Sequence, residues 1–340
     1  MAARQQTLFA SGPVEVHAAG IHLPEAGLWL DASKPQKLSF VSHAHTDHIS
    51  PHEKALMTAA TRRFFDLRLA GHNTELVELE YNQPHRIGES TTTLFPAGHI
   101  LGSAQVLVEN SCRIVYTGDL KLRPSPVNEK AEVKKCDVLI MEATFGLPEY
   151  VFPSEEETRA MLKKEVDTAL GNKQVPVIRA YALGKAQEVI ALLNGLGYKV
   201  GTEPQIRQYC DVYELFGYSV GPTVTVEDYG VSVEDSGERK AESGLRNADV
   251  LVVGSTSSLR RWSDRLAKRR TIFVSGWGVD ANARYKFGVD VVIPLSDHAD
   301  YYDLIDYVKQ AEPKEVLVTH GAPDFAQHLK QHGFKARYLK

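Results

Sequence analysis

Short segments that alternate apolar and polar residues run through the N-terminal half of the chain and end in turn-forming residues. Three of them, VEVHAAG, GLWLDA and KLSFVSH, occupy residues 14–43. TTTLFPAG, AQVLVE and RIVYTGDL follow further along the chain. A period of two residues is typical of half-buried strands, because successive side chains of a strand point to opposite faces. We therefore predict that this half of the chain is rich in β-sheet.

The pattern changes beyond CDVLIMEATFG. Ser154 and Glu157 form a capping-box pattern that opens a helix, and this helix is predicted to carry Met161, Val166 and Leu170 on its apolar face. Predicted strands and helices then alternate to about residue 285. Such alternation favours an α/β module built on a parallel sheet.

The segment SLRRWSDRLAKRR has the apolar spacing of an amphipathic helix and follows the predicted strand ADVLVVG. The C-terminal fifth of the chain returns to strands and helices, and its last predicted helix stops before Gly333. The sequence has no internal repeat and no long flexible linker. The middle module is therefore predicted to be inserted into the surrounding domain rather than appended to it.

Composition narrows the class of protein. The 340 residues are 43% hydrophobic and 24% charged, as in ordinary soluble globular proteins. A formal net charge of −4 argues against a general binder of polyanions. The three cysteines form no C-x-x-C pair, which excludes a zinc ribbon. The chain shows no secretory signal pattern and no apolar run of eighteen residues, so we expect a cytoplasmic protein that does not bind membranes.

The candidate chemistry begins directly after a predicted strand, where His43, His45, Asp47 and His48 form an H-x-H-x-D-H pattern. Alternate residues of an extended segment point the same way, so the first two histidines can converge on one metal ion. The chain then turns, which lets the aspartate and the third histidine reach a second ion. Imidazole and carboxylate ligands suit zinc, with manganese or iron as alternatives.

Two further residues stand at the ends of predicted strands. His99 lies in PAGHILGSA, where the neighbouring glycines let the backbone and a ligand approach closely. Asp119 follows RIVYTGDL, where it can bridge two cations or simply cap a turn. After the first cluster, we interpret both as metal ligands.

This series of motifs resembles the metallo-β-lactamase superfamily. Three later residues are similar to motifs A, B and C of its β-CASP nucleases: Glu142 in LIMEATFG, His298 in LSDHAD and His320 in VTHG. The segments EATFGLPEY and AGHILGSAQV, and the order SGWG, LSDHAD, VTHG, are most similar to the bacterial ligase-associated DNA exonucleases. The resemblance extends from about residue 27 to about residue 325.

The resemblance implies an α/β fold, a metallo-β-lactamase αββα sandwich with an inserted α/β β-CASP domain. The expected boundaries are 1–145 for the first part of the metallo-β-lactamase domain, 146–285 for the insertion and 286–340 for the return segment. It also implies two divalent ions, with zinc favoured and manganese as the alternative. The implied ligands are His43, His45 and His99 for the first ion, Asp47, His48 and His320 for the second, and Asp119 between them.

Asp47, Glu142 and His298 are the implied catalytic residues. Only the resemblance implies that Glu142 and His298 lie close together at the site. Without it, the simpler interpretation is that Glu142 caps a helix and that His298 is a surface histidine. A carboxylate beside an imidazole raises the pKa of the histidine and fixes its tautomer. A protonated His298 could then donate a proton to the leaving oxygen as a general acid.

A phosphodiester substrate needs cationic or N–H-rich surfaces beside the ions. Five residues are candidates for such contacts, although each has an alternative role as solvated surface or helix cap. The candidates are Lys121, Arg123, Lys185, Ser255 and Ser257.

The predicted function is that of a dinuclear metal-dependent exonuclease that hydrolyses phosphodiester bonds of DNA in DNA repair. The resemblance favours DNA over RNA as partner and implies a functional association with a DNA ligase or helicase. An RNA-processing β-CASP ribonuclease is the first alternative, because Glu142 at motif A and His320 at motif C are similar to those enzymes. A small-molecule hydrolase of the same fold and a non-catalytic scaffold are further alternatives.

Overall fold

The structure, a computed structural model, describes residues 7–226, 247–255, 257–264 and 266–339. The chain divides into two compact units. Unit 1 combines Met1–Val151 with His298–Lys340, and unit 2 is Phe152–Asp297. The sequence of unit 2 therefore lies between the two segments of unit 1.

The first part of unit 1 contains β1 (Thr7–Ser11), β2 (Val14–His17), β3 (Gly20–Leu23), β4 (Leu28–Leu30), β5 (Leu38–Phe40), β6 (Lys54–Met57), α1 (Ala59–Arg68), β7 (Glu75–Glu78), β8 (Pro84–Ile87), β9 (Ser90–Pro96), β10 (Ala104–Glu109), β11 (Arg113–Tyr116) and β12 (Val138–Ala143). Unit 2 contains α2 (Glu155–Gly171), β13 (Val175–Ala180), α3 (Lys185–Gly195), β14 (Val200–Thr202), α4 (Pro204–Leu215), β15 (Thr223–Thr225), β16 (Val250–Gly254), α5 (Ser258–Ser263), β17 (Arg269–Val274), a 3₁₀ turn (Gly276–Val279), α6 (Ala283–Phe287) and β18 (Val291–Ile293). The return segment of unit 1 contains α7 (Tyr301–Ala311), β19 (Glu315–Gly321), α8 (Phe325–Gln331) and β20 (Ala336–Tyr338).

Unit 1 is built on two seven-stranded sheets. In the first, β1 to β7 lie in sequence order; β1 to β4 pair antiparallel and β4 to β7 pair in parallel. The second has the order β20-β19-β12-β11-β10-β9-β8, and its strands from β11 to β20 are parallel. The chain thus returns from unit 2 to pair β19 with β12, with Leu139 opposite Val316.

Two apolar layers hold unit 1 together. Between the sheets, inward residues of the first sheet such as Phe40 and Leu56 share one core with Val106 and Ile140 of the second. The opposite face of the second sheet is covered by the apolar sides of α7 and α8. On the other side, α1 packs against β7 of the first sheet. The predicted α/β fold is confirmed, with its helices outside a pair of packed sheets.

Unit 2 has one six-stranded sheet of order β15-β14-β16-β13-β17-β18, in which all strands are parallel. Its central strands β13 and β16 are largely buried and rich in valine, isoleucine and leucine, as expected where helices cover a parallel sheet. The parallel sheet predicted for the middle module is confirmed. The capping box is also present, because Ser154 and Glu157 exchange their side-chain and backbone hydrogen bonds at the start of α2.

The predicted apolar face of α2 is wrong at two of its three residues. Met161 and Leu170 are 40% and 38% exposed. The buried stripe runs instead through Leu162, Val166 and Ala169. The spacing of these residues by four and three positions is the one that keeps a stripe on a single face of a helix, and the sheet selects that face.

The predicted amphipathic helix SLRRWSDRLAKRR is shorter than expected. Helix α5 ends at Ser263, and Arg269 and Arg270 already belong to β17, where they pair with β13. Sheet pairing with a distant strand therefore overrides the helical spacing of this segment. The side chains of Leu259 and Trp262, two apolar residues of this segment, lie outside the part of the chain that the structure describes.

The unit boundaries fall later in the chain than the boundaries expected from the sequence, 145/146 and 285/286. At the second boundary, β18 pairs with β17, with Val291 opposite Ile272, so residues 291–293 belong to the sheet of unit 2. At the first, Tyr150 accepts a backbone hydrogen bond from Tyr301 at 3.1 Å, which keeps this segment in unit 1.

Candidate metal centre

The C-terminal ends of neighbouring strands bring four of the predicted residues to one edge of the second sheet. Strands β11, β12 and β19 are parallel, and β9 runs in the same direction because it is antiparallel to β10. The ends of strands that run in one direction share one edge of a sheet, which is where open α/β sheets place their ligands. Four predicted residues stand at or just beyond these ends: His99, Asp119, Glu142 and His320.

The HAHTDH segment approaches this edge from the first sheet. It follows β5 and turns at once, with the His48 amide donating to the His45 carbonyl at 3.1 Å. The Ser42 carbonyl accepts a hydrogen bond from the Ala104 amide at 2.8 Å, which ties the segment to β10 of the second sheet. The two sheets of unit 1 therefore both contribute side chains to one site.

Four side chains form a tight group. The ligand atoms of His43, His45, His99 and Asp119 all lie within 4.8 Å of one another. Nδ1 of His45 is 3.1 Å from Nε2 of His43 and 3.1 Å from Nε2 of His99. His43 and His99 are fully buried, whereas His45 is half-buried. Three ring nitrogens thus converge on one point that the solvent reaches from the side of His45.

Asp119 lies between the two sets of predicted ligands. Its Oδ2 is 3.5 Å from Nε2 of His43, 3.5 Å from Nε2 of His48 and 3.7 Å from Nε2 of His99. The preceding Gly118 has φ +54, and a Cβ there would lie 2.6 Å from the Ser42 side chain. Glycine is therefore needed for the chain to place this carboxylate against the HAHTDH segment.

The other three predicted ligands are arranged more loosely. Oδ2 of Asp47 lies 3.6 Å from Nε2 of His48, and the Asp47 side chain is 79% exposed. The rings of His48 and His320 have centroids 5.7 Å apart. His320 itself has φ +51, and Gly321 next to it packs directly against the Ala143 carbonyl. These residues adjoin the tight group through His48.

Asp31 is the residue of this site that the sequence reasoning missed. Its buried carboxylate accepts hydrogen bonds from Nδ1 of His48 at 2.8 Å and from the Tyr116 hydroxyl at 2.9 Å. It also accepts from the Ser42 amide at 2.7 Å. The available signal was a lone carboxylate directly after the buried strand β4, in GLWLDA. Carboxylates that accept from the second ring nitrogen of a histidine fix its tautomer and orientation for metal binding.

Glu142 and His298 are in direct contact although they are 156 positions apart. Nδ1 of His298 lies 2.9 Å from Oε1 and 3.1 Å from Oε2 of Glu142. The carboxylate also accepts from the Leu120 amide at 2.6 Å and from the Thr144 amide at 3.2 Å. Nε2 of His298 is thereby held 4.0 Å from Oδ2 of Asp119.

The protonation of these groups follows from burial and from their neighbours. Burial lowers the pKa of His43 well below its ordinary value, and the surrounding histidines lower it further. Burial acts in the same direction on His48, but Asp119 and Asp31 outweigh it and raise its pKa to about 10. Burial raises the pKa of Asp119 against the opposing effect of His48. Burial thus favours the neutral imidazole of His43, whereas the carboxylates of Asp119 and Asp31 favour positive charge beside His48.

The donor set fits divalent transition metal ions. Imidazole and carboxylate ligands suit zinc, iron and manganese. In a tetrahedral zinc site with bonds of 2.0–2.1 Å, neighbouring ligand atoms are about 3.3 Å apart by simple geometry. The two separations of 3.1 Å, from Nδ1 of His45 to Nε2 of His43 and of His99, are close to that spacing.

The predicted substrate contacts are less favourably placed. Arg123 pairs with Asp300 and with Oδ2 of Asp303 at 3.2 Å, so its charge is engaged at the start of α7. Lys121 is 4% exposed, so a substrate contact would require its side chain to move outward. A substrate contact by Lys185 of unit 2 would require the same outward movement.

Lys185 is fully buried, and its Nζ lies 3.4 Å from Oδ1 of Asp297 and 3.8 Å from Oε2 of Glu188. The two predicted serines lie near the start of α5. Oγ of Ser257 accepts from the Arg260 amide at 3.1 Å, and the Ser255 carbonyl accepts from the Arg260 guanidinium. Both serines are half-buried, so their substrate contacts stay predictions.

Comparison with known proteins gives the family. Residues 284–339 match the family described as "Zn-dependent metallo-hydrolase RNA specificity domain". A protein of Opitutus terrae named "Probable DNA ligase" is 36% identical over 321 residues, which cover 93% of this chain and 30% of that protein. A Methanocaldococcus jannaschii protein named "RNase J-like protein" is 26% identical over 342 residues, covering 83% of this chain and 80% of that protein. The chain belongs to the metallo-β-lactamase/β-CASP superfamily.

A solved structure shows the same fold. The crystal structure of a protein of unknown function from Enterococcus faecalis V583 matches this β-CASP chain with a TM-score of 0.58 at 16% identity. The match covers 89% of this chain and 79% of the other. At that identity the likeness concerns the fold alone.

No helix in the described part of the chain is long and apolar enough to cross a membrane.

Proposed function

We propose that this β-CASP protein is a metal-dependent nuclease that cleaves phosphodiester bonds of DNA as an exonuclease in DNA repair. Unit 1 would be the metallo-β-lactamase domain and unit 2 the inserted β-CASP domain. The observation that carries the proposal is the convergence of His43, His45, His99 and Asp119 beside the hydrogen-bonded pair of Glu142 and His298.

Two divalent ions are proposed, with zinc favoured over manganese. His43, His45 and His99 would hold the first. Asp47, His48 and His320 would hold the second, and Asp119 would contact both. Ions bound in this way polarise a phosphodiester and lower the pKa of a water molecule, which makes attack feasible at neutral pH.

The protein's own proton chemistry is assigned to Glu142 and His298. The Glu142 carboxylate is fixed by the amides of Leu120 and Thr144 and accepts from Nδ1 of His298. That hydrogen bond favours the protonated imidazole and directs Nε2 towards the side of the site where Asp119 lies. His298 therefore donates the Nε2 proton to the leaving oxygen of the substrate. Glu142 acts as the positioning residue for this step.

One relative, which matches almost the whole chain, supports DNA as the substrate. The Opitutus terrae protein named "Probable DNA ligase" matches 93% of this chain, and the chain spans 30% of that protein. We infer from this that the nuclease acts together with a DNA ligase or helicase on DNA intermediates of repair. Asp119 and the histidines cannot themselves select DNA, because the two nucleic acids differ at the ribose 2′-hydroxyl rather than at the phosphodiester.

An RNA-processing nuclease is the second candidate. The description of the family that residues 284–339 match contains the words "RNA specificity domain". The Methanocaldococcus jannaschii protein is named "RNase J-like protein". A small-molecule hydrolase is less favoured, because it would need neither the inserted parallel-sheet unit nor the Glu142–His298 pair.

The experiment that tests the substrate uses matched oligonucleotides. Single-stranded DNA and RNA of one sequence, labelled at the 5′ or the 3′ end, are digested with the zinc- or manganese-loaded protein. We expect DNA to be cut faster, with mononucleotides or short end products appearing first. Tenfold faster cutting of RNA, or internal products appearing before end products, would favour the RNA-processing candidate.

A further inference from the structure

A second cluster of metal-ligating side chains lies outside the proposed catalytic centre. It is formed by Glu15 and His17 of β2 and by His22 of β3. Their ligand atoms lie within 4.8 Å of one another. Oε2 of Glu15 is 3.1 Å from Nε2 of His17 and 3.3 Å from Nδ1 of His22.

The sequence pattern places the three donors on one face of the first sheet. In β2, Val14 and Val16 point into the core between the two sheets, so Glu15 and His17 point to the opposite face. His22 is paired with Glu15 across the antiparallel ladder, so it shares their face. This arrangement follows from the backbone register and requires no unusual side-chain conformation.

Trp29 of β4 holds the imidazole of His22 in place. It is paired with His22 across the next ladder, and the two rings stack with centroids 4.7 Å apart and an interplanar angle of 28°. The Trp29 ring also lies 5.1 Å from the ring of His17. Ligands that are fixed before a metal arrives lose little conformational entropy on binding it.

The donor spacing matches a zinc site. Neighbouring ligands of tetrahedral zinc are about 3.3 Å apart when the bonds are 2.0–2.1 Å long. The two N···O separations of 3.1 and 3.3 Å correspond to that spacing. Two histidines and one glutamate also form a donor set that zinc uses in proteins, with water in the fourth position.

Access and charge suit an ion from solution. The side chain of His17 is 7% exposed, that of His22 20% and that of Glu15 30%, so the cluster is open on the side of Glu15. A cation bound there would meet the carboxylate of Glu15 and the imidazoles of His17 and His22.

We propose that Glu15, His17 and His22 form a separate mononuclear zinc site that joins β2 to β3. Its role is structural, because its ligands cross-link adjacent strands of the first sheet. The proposal does not depend on the nuclease activity, since none of its three ligands belongs to the catalytic centre.

The test counts zinc ions in variants of the whole chain. The wild type, Glu15→Gln and His22→Gln are dialysed to equilibrium against low-micromolar zinc, and protein-bound zinc is measured by mass spectrometry. His85→Gln, at a half-buried histidine of β8, is the matched control. We expect Glu15→Gln and His22→Gln each to bind one zinc ion fewer per chain than the wild type and the control.

Two further readouts separate loss of the site from misfolding or from failure of the catalytic centre. Both variants should keep the wild-type far-UV circular dichroism and the wild-type rate of phosphodiester cleavage. Zinc should raise the melting temperature of the wild type more than that of either variant. Equal zinc content in all four proteins would overturn the proposal and leave a hydrogen-bonded cluster only.

Discussion

The carboxylate of Asp31 accepts a hydrogen bond from Nδ1 of His48 at 2.8 Å, so the imidazole presents Nε2 to Asp119. The same carboxylate is held by the hydroxyl of Tyr116 and the amide of Ser42. Asp31, which directly follows β4 of the first sheet, thus orients a proposed metal ligand without being placed to bind the metal itself.

Replacement of Asp31 by asparagine should weaken metal binding about 10- to 100-fold, because the His48 ring loses a charged acceptor that fixes its tautomer. Asparagine is chosen because Asp31 has φ 42, a conformation that asparagine tolerates. Metal affinity is measured by titration with a competing chelator. Unchanged affinity in a folded Asp31→Asn protein would mean that the hydrogen bond has no part in holding the ion.

The roles assigned to His298 and His320 can be separated by comparing their alanine variants. His298→Ala should keep its metal content and lose about 10²- to 10⁴-fold in turnover, the range for a lost general acid. His320→Ala should instead lose the second ion. Metal content and single-turnover cleavage are measured on the same preparations. Equal metal loss in both variants would show that His298 is itself a ligand.

Gly321 is expected to be essential for the position of His320. A Cβ at this residue would lie 2.1 Å from the Ala143 carbonyl oxygen, and φ is +88. Gly321→Ala should therefore lower the free energy of unfolding by about 1–3 kcal/mol more than a control without the clash. The control is Gly27→Ala, where φ is +58 and a Cβ meets no atom within 4 Å. Chemical denaturation compares the two, and equal losses would exclude a role for the contact with Ala143.

Acid should destabilise the fold partly through His52. Burial lowers the pKa of this histidine from 6.5 to about 4, and Nδ1 accepts a hydrogen bond from the Gln36 amide. Because the unfolded chain binds the proton more tightly, the stability from the neutral ring is present above pH 6.5 and is lost as the pH falls towards 4. The full loss is at most about 3 kcal/mol.

Urea denaturation at pH 7 and pH 4.5 measures this contribution. His52→Gln should lose less stability between the two pH values than the wild type does. His85→Gln, the matched control in β8, should lose as much stability between the two pH values as the wild type does. A loss in His52→Gln as large as that of the wild type would assign the acid sensitivity to other groups.

Local patterns were enough to predict much of the fold. The alternating segments predicted the strands of unit 1, and the spacing of strands and helices predicted the parallel sheet of unit 2. The capping box of Ser154 and Glu157 was predicted because both partners lie within one helical turn. Each of these signals is complete within a short window of sequence.

The relationships that depend on tertiary pairing could not be predicted in this way. Asp31 meets His48 across 17 positions, and the carboxylate that follows β4 does not by itself indicate its partner. Arg123 pairs with Asp300 only because α7 returns to unit 1 after the insertion. The position of β18 depends on a distant partner in the same way, since this strand is defined by its pairing with β17.

The central claim, metal-dependent phosphodiester cleavage at the site around Asp119, is tested most directly by the rate of cleavage of end-labelled single-stranded DNA. Metal-depleted protein, the same protein reloaded with zinc or manganese, and Asp119→Ala are compared, with Asp280→Ala at an exposed aspartate as control. We expect cleavage only by the reloaded wild type and the control, and a lower metal content in Asp119→Ala. Full activity of Asp119→Ala with unchanged metal content would contradict the account.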